Sequence, residues 1–552
     1  MRIVSSFAAV LMAGVTLSAC ATVGADQAAP SFDAARISED IRVLSSDAYE
    51  GRGIATPAEE KVVQYLSAQY AAAGFEPGGP NGQWTQDVIL NRFVQSNVHA
   101  SLKLGDWSLP MTQGREVAIS TRRPAEHVSL KDAPLVFVGY GINAPERQWN
   151  DFKGQDLRGK ILVVLVNDAD FEEPALNTFG GKAMTYYGRW TYKYEEAAKH
   201  GAAGVLIVHE TAPASYGWAT VANSWGVPQF DILRPNAAAE RVPMEGWIQR
   251  DVAVDLFRRA GLDFDALKVQ ARSRDFQPVA LTGASFSTEF DVATNQVTSH
   301  NVIARLPGTT HPDETVLYTA HWDHIGMGEP DATGDRIFNG AVDNASGTAG
   351  LLELARMYGR APRTERSVVM ISFTGEESGL LGSEYYAVNP VYPLPRTVGG
   401  FNMDSMNVYG RVTGLGVTGY GQSDFDERLA VAIQSQGRSL VPDYENAAGT
   451  YYRSDHFPLA KRGVPMAYAG SRGDFRDEPI AERQAARAEY GAKRYHQAAD
   501  EWSPDWDYSG MIEDLTVFYD VGRALANGRD WPEWKTGSEF GPVRATTASE
   551  RP

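Results

Sequence analysis

The sequence predicts an α/β fold: a mixed, largely parallel sheet flanked by helices, interrupted by a second, β-rich α/β module. From Asn301 onward, short apolar runs alternate with helix-length amphipathic stretches, the pattern of strands joined by crossover helices. Between residues 86 and 289 the texture differs, with β-like runs and a helical stretch between two of them. A third observation sets the scale. A chain of 552 residues is too long for one core and implies roughly two to four domains.

The elements follow in order. Residues 34–74 read as helical, with Ile37, Ile41 and Leu44 and then Val62, Val63, Tyr65, Leu66 and Tyr70 at helical spacing. Thr56-Pro57-Ala58-Glu59 reads as a capped helix start with proline in its first turn. Strands are expected at 135–138, 161–166 and 204–208, with a helix over 192–201. Further on, strands are expected at 316–320, 367–373, 399–403 and 464–469, and helices at 345–358, 429–436 and 511–526. The last dozen residues, GPVRATTASERP, read as disordered by composition.

The formal net charge of −18 excludes the basic face of a nucleic-acid binder. The single cysteine, Cys20, excludes a disulfide within the chain and a thiolate metal site. Any bound metal must therefore be held by His, Asp and Glu. Arg2, the apolar run 7–17 and Leu17-Ser18-Ala19-Cys20 form a targeting segment too short to span a bilayer. Its ending resembles the bacterial lipobox. That resemblance implies lipidation at Cys20 and an extracytoplasmic protein, anchored on the periplasmic side or surface of the outer membrane. The expected divisions are a signal segment 1–20, a tether 21–33, a first part 34–85, an insertion 86–289 with its core at about 130–285, a main part 290–530 and a tail 531–552.

Five polar clusters stand at strand ends or in loops. His321-Trp322-Asp323-His324 follows VLYTA, Asp343-Asn344-Ala345-Ser346-Gly347 opens a helix, Glu376-Glu377 follows SVVMISFTG, and Asp404 follows GGFNM. The fifth, Arg494 to Asp500 with Tyr495-His496 inside it, lies in a long loop after VPMAYA. Singly, each has an ordinary explanation: a helix cap for Asp343, a turn for Asp404, a solvated pair for the two glutamates. Open parallel sheets bind ligands at the carboxyl ends of their strands, so the clusters are expected to converge on one edge.

In that order the stretches AHWDHIG, GAVDNASGTAGLLELA, FTGEESGLLGSEYY, NMDSMN and RYHQAADEW resemble the M28 family of metallopeptidases. The resemblance covers about 290–530, and the helical start at 34–80 fits it too. It implies a zinc-exopeptidase-like fold and two divalent ions, zinc first, with Co²⁺ or Mn²⁺ as alternatives. Asp343 would bridge both ions, His321 and Asp404 would complete one site, and Glu377 and His496 the other. Glu376 would be the general base, Asp323 would accept from the second ring nitrogen of His321, and Tyr495 would help hold the oxyanion. The family also often has a cis peptide after the bridging aspartate, here Asp343–Asn344. Arg453 or Asp455 is expected to contact a peptide terminus, His456 is expected not to be a ligand, and His324 is expected to be structural or to support a ligand. The stretches APLVFVGYGI, DLRGKILVVLVN and EEAAKHGAAGVLIVHE resemble a protease-associated (PA) domain.

The implied activity is hydrolysis of peptide bonds at chain ends, by an aminopeptidase in preference to a carboxypeptidase or dipeptidase. The implied partners are peptides, with membrane contact only through the lipid anchor. Two other readings compete. A glutaminyl-cyclase-like acyltransferase would use one zinc, which the full ligand set disfavours. A non-catalytic binding protein would have lost ligands, and none is missing.

Overall fold

The computed structural model describes residues 31–443 and 446–551. Cys20, the signal segment and most of the tether lie outside the described residues.

The strand Arg366–Phe373 is buried along its whole length, as a continuous apolar run should be in a sheet covered on both faces. It lies between His311–His321, with which it is parallel, and Val279–Leu306, with which it is antiparallel. Beyond His311–His321 come Thr397–Asn402 and Met466–Phe475, both parallel. Val412–Thr418 is antiparallel to Met466–Phe475, and Ser439–Pro442 closes that edge. Helices Ala34–Leu44, Pro57–Ala72, Gly347–Arg360 and Ser509–Asn527 share the large core cluster on one face.

The inserted region continues the same sheet. Val279–Leu306 is 28 residues long. Its first part pairs with His127–Phe137 and its last residues pair with Arg366–Phe373. Ile161–Leu165, Gly204–His209 and Glu245–Gln249 extend the sheet in parallel, and Val117–Ser120 ends it. Among the described residues this makes one 16-stranded sheet. Thr85–Leu104 runs antiparallel to Val279–Leu306 as a long ribbon, with a register shift between Glu289 and Asp291. The expected divisions at 85/86 and 289/290 thus fall inside two continuous strands.

Three local expectations are corrected. The Thr56 hydroxyl does not cap its helix but donates to the Gly53 carbonyl at 2.7 Å, and the Glu59 carboxylate accepts from the Ala55 N–H at 2.6 Å. The loop expected after 464–469 contains a helix, Ile480–Glu489. The chain end is folded rather than disordered: Gly541–Thr546 is helical. There Phe540 is buried and the Arg544 guanidinium donates to the carbonyls of Leu394 and Thr397.

Candidate metal centre

The carboxyl edge of the main sheet gathers the four clusters that end its strands and open its helix. His321 is the last residue of its strand, and its side chain is 1% exposed. Its Nε2 lies 3.4 Å from Asp343 Oδ1 and 3.4 Å from Asp404 Oδ1. Asp343 turns its other oxygen to a second imidazole, with Oδ2 3.1 Å from His496 Nε2. His496 Nε2 also lies 3.3 Å from Glu377 Oε2. Glu377 Oε1 is in turn 2.6 Å from His324 Nδ1.

Local structure explains why these side chains converge. Gly340, just before the Asp343 turn, has φ +55°, and a β-carbon there would stand 2.6 Å from the His324 ring, so only glycine fits. The Asp343–Asn344 peptide is cis. Asn344 ties this turn to the Asp404 loop: its Oδ1 accepts from Ser405 N and its Nδ2 donates to the Met403 carbonyl. Asp500 holds the turn from the other side, its carboxylate accepting the N–H groups of Val342 at 3.0 Å and Asp343 at 3.1 Å. Ser454 Oγ donates to Asp404 Oδ2 at 2.7 Å and accepts from Asn402 Nδ2.

The donor set suits divalent cations. Among the described residues, two groups of potential ligand atoms each lie within 4.8 Å of one another: His321, Asp343 and Asp404, and His324, Asp343 and Glu377. Asp343 Oδ1 and His324 Nε2 are buried without a hydrogen bond, as ligand atoms are before a cation is added. Imidazole nitrogens and carboxylate oxygens without thiolate are what Zn²⁺, Co²⁺ or Mn²⁺ take. A divalent cation therefore fits these residues.

The electrostatics point the same way. Burial raises the Glu376 carboxyl well above its usual range, and the Asp404, Glu377 and Asp455 carboxylates add to that rise against the opposing pull of His321. Burial works against a charged His321, but the Glu376 and Asp404 carboxylates raise it. Asp343 is also buried, yet the neighbouring imidazoles of His321 and His496 hold it far below the ordinary carboxylate range. Among the described residues none hydrogen-bonds the Glu376 carboxylate, while its backbone N–H donates to Asp323 Oδ1 at 3.2 Å. Glu376 is thus a half-buried carboxyl with a raised proton affinity and a side chain free of hydrogen bonds among the described residues, as a group that takes up a proton requires.

Several expected roles change on contact with the structure. The acceptor for His321 Nδ1 is the Asp323 backbone carbonyl, at 3.1 Å. The Asp323 carboxylate is 3.7 Å away and serves the Glu376 N–H instead. Asp455, expected at a peptide terminus, is fully buried and accepts from Ser383 Oγ at 2.6 Å. Arg453 is exposed, and its Nη2 donates to Ser215 of the inserted region. His456 is buried between the rings of Tyr451 and Tyr468, outside either ligand group. Tyr495 is 48% exposed and stacks on His496 with ring centroids 4.0 Å apart. His324, expected to be structural or to support a ligand, meets Glu377 Oε1 through its Nδ1 at 2.6 Å.

Sequence reasoning missed Arg52. It is 1% exposed, and its guanidinium donates to the carbonyls of Trp322 (2.8 Å), Leu44 (2.9 Å), Asn339 (2.6 Å) and Gly340 (2.8 Å). Burial pushes it down to about 10, against the pull of Asp500, Asp323, Asp343 and Glu377. It joins the His321 loop to the Asp343 turn. Its stretch, DAYEGRG, belongs to none of the five clusters, and its only signal is an arginine between two glycines.

The α/β sheet thus gathers carboxylates and imidazoles at its carboxyl edge, spaced for cations and flanked by the half-buried Glu376, as a candidate metal centre. Residues 301–519 match the profile of Peptidase family M28. Among curated proteins, the chain is 28% identical over 206 residues to leupeptin-inactivating enzyme 1 of Streptomyces exfoliatus, covering 37% of this chain and 43% of that protein. It is 25% identical over 448 residues to aminopeptidase NAALADL1 of Mus musculus, covering 70% and 55%. It is 32% identical over 180 residues to aminopeptidase YwaD of Bacillus subtilis, covering 32% and 36%. The chain thus spans about half the length or less of these relatives. Among solved structures, an aminopeptidase from Aneurinibacillus sp. strain AM-1 superposes with a TM-score of 0.48 at 22% identity, over 90% of this chain and 94% of that one.

Proposed function

We propose that the chain is a metal-dependent exopeptidase that holds two divalent cations, zinc by donor chemistry, and cleaves peptides from the amino end. One observation carries this reading: Asp343 offers Oδ1 to His321 at 3.4 Å and Oδ2 to His496 at 3.1 Å. A single carboxylate facing two imidazoles with separate oxygens is what a bridging ligand requires. His321 and Asp404 would complete one site, and Glu377 and His496 the other, with His324 holding Glu377. Cations bound there would acidify a water and polarise the scissile carbonyl.

The residues themselves supply the rest. Glu376 takes the proton of the attacking water and returns it to the leaving amine, a role worth about 10²–10⁴-fold in rate. Tyr495 stands beside His496 with its hydroxyl available to the carbonyl oxygen as negative charge grows there. The carboxylate-rich pocket attracts a free ammonium, which favours the amino end. The aminopeptidase names of two relatives support the same polarity. We also infer a PA-type role for residues 86–289 as a cover over the cleft, and a lipid anchor at Cys20 outside the cytoplasm, from the stretches that resemble those features.

The test is metal content and turnover together. The wild type should hold two Zn²⁺ per chain and hydrolyse Leu-p-nitroanilide but not its N-acetyl form. Asp343→Asn should lose both ions. A variant that keeps two ions, or equal turnover of the blocked and free substrates, would sink the respective half of the proposal.

A further inference from the structure

Beyond the helix Ser509–Asn527, the chain packs against residues 451–463. Trp534 Nε1 donates to the Gly463 carbonyl at 2.8 Å. Phe540 is buried, its ring centroid 6.0 Å from that of Tyr451, 6.3 Å from Phe457 and 5.1 Å from Trp534. Beside it the half-buried Glu539 accepts on one oxygen, Oε1, from the Tyr452 hydroxyl at 2.8 Å and from the Tyr186 N–H at 3.4 Å. Tyr186 belongs to the inserted region, and its ring lies 6.0 Å from Tyr452 and 4.9 Å from Phe457. A single carboxylate of the C-terminal segment thus meets the inserted region and the loop of Tyr452 together.

That loop serves the metal centre with its other side chains. The rings of Tyr451, Tyr452 and Phe457 meet the C-terminal segment and Tyr186. Between them in sequence, Ser454 Oγ donates to Asp404 Oδ2 at 2.7 Å and accepts from Asn402 Nδ2 at 2.7 Å. Asp404 stands in one of the two candidate ligand groups. The backbone here is stiff: Thr450–Tyr452 is a single helical turn and His456–Ala460 a short helix. A shift at Tyr452 is therefore passed over two residues to Ser454. The hydrogen-bond partner of a ligand fixes its orientation, and losing such a partner lowers metal affinity or activity by about 10- to 100-fold.

We propose that Glu539 is a positioning residue for Asp404: by holding the Tyr452 hydroxyl at the seam with the inserted region, it fixes the loop that presents Ser454 to that carboxylate. This rests on the reading of Asp404 as a cation ligand. It makes the C-terminal segment, which carries none of the candidate ligands, part of what aims one of them. The Tyr452 ring is buried, so its hydroxyl needs an acceptor within the protein, and Glu539 supplies it.

Zinc is titrated into the metal-free full chain by calorimetry, for the wild type, Glu539→Met, Glu539→Gln, Tyr452→Phe and the double variant of Glu539→Met with Tyr452→Phe. Ser454→Ala marks the ion that depends on the Ser454 hydrogen bond. Glu539→Met should weaken binding of that same ion by about 10-fold, the lower end of the range for a ligand's own partner, and kcat on Leu-p-nitroanilide should fall with it at little change in KM. Tyr452→Phe removes only the hydroxyl and should have the same effect. The double variant should lose no more than either single one, because both remove one bond. Glu539→Gln keeps an acceptor for Tyr452 and should recover most of the loss. Equal weakening of both ions, additive losses in the double variant, no effect of Ser454→Ala, or wild-type zinc affinity in Glu539→Met and Tyr452→Phe would overturn the proposal. If Glu539→Met does not fold, Tyr452→Phe is compared with Ser454→Ala in its place, with the same outcomes. If the wild type takes up no zinc, the ligand reading fails by itself. Amide hydrogen exchange over residues 403–406 then tests the positioning alone: faster exchange in Tyr452→Phe supports it, and unchanged exchange overturns it.

Discussion

Replacing Arg52 with methionine tests how the pocket is held. The change keeps most of the side-chain volume and removes all five N–H donors. Four backbone carbonyls, those of Trp322, Leu44, Asn339 and Gly340, lose their partner at once. A buried acceptor left bare costs about 1–3 kcal/mol. Local relaxation and the relief of burying a neutral group recover part of that, leaving about 3–5 kcal/mol, among the largest effects of single substitutions. The loss falls next to His321 and Asp343, because the Trp322 and Gly340 carbonyls flank them. Arg52→Met should therefore lower the urea midpoint, speed amide hydrogen exchange over residues 318–345 and weaken zinc binding measured by calorimetry. Arg52→Lys, with three donors from one point, should fall between. Unchanged exchange over 318–345 together with wild-type zinc affinity would refute the idea that this guanidinium holds the two loops.

Three further outcomes are expected. Glu376→Gln should reduce kcat by about 10²–10⁴-fold with KM and zinc content near wild type; undiminished turnover would remove Glu376 as the base. His496→Ala should lose one of two zinc ions, while His324→Ala should keep both at roughly 10- to 100-fold lower affinity; elemental analysis reads the difference, and the reverse pattern would exchange their roles. His300 Nδ1 lies 2.7 Å from Glu59 Oε1, and this hydrogen bond, against burial, raises the imidazole above its ordinary value. A raised folded-state value means that the pair stabilises fully below about pH 6.5 and stops doing so as pH climbs through the raised value. The wild-type urea midpoint should step down across that window, and His300→Gln should flatten the step.

What the sequence made legible follows from burial. The strands Arg366–Phe373 and His311–His321 end in continuous apolar runs because both faces of the sheet are covered, and a run of that kind is readable without a partner. The polar residues that interrupt those runs at the strand ends stood out for the same reason. The ribbon of Thr85–Leu104 and Val279–Leu306 was read only as short pieces. Its residues alternate between buried and exposed and include Asn, Ser, Thr and His where an apolar run would be, so its length comes from pairing between segments far apart in sequence. Helix Ile480–Glu489 buries none of its residues, so it carries no apolar stripe to betray it. Arg52 and Asp500 act through backbone carbonyls and N–H groups, and no pattern of side chains announces such a role. The partner of His324 was not legible beside His321, because Glu377 lies 53 residues further along.

The same ribbon makes the inserted region part of the pocket's construction. Residues Val297–His300 pair with Asp87–Leu90 of Thr85–Leu104. His300 sits at the end of that stretch, its carbonyl accepting from Trp322 Nε1 at 2.9 Å and its ring meeting Glu59. Trp322 follows His321 directly, and its own carbonyl accepts from Arg52. A chain of bonds thus runs from the ribbon through His300 and Trp322 to His321. On the other side Arg453, one residue from the serine that holds Asp404, is tied to Ser215 of the insertion. The insertion therefore reaches both His321 and Asp404 through hydrogen bonds. A domain hung on flexible linkers would expose its strand edges and leave the pocket's loops to be held by other means. Here two continuous strands replace the linkers, so the geometry of the candidate cation site and the position of residues 86–289 are set by one sheet.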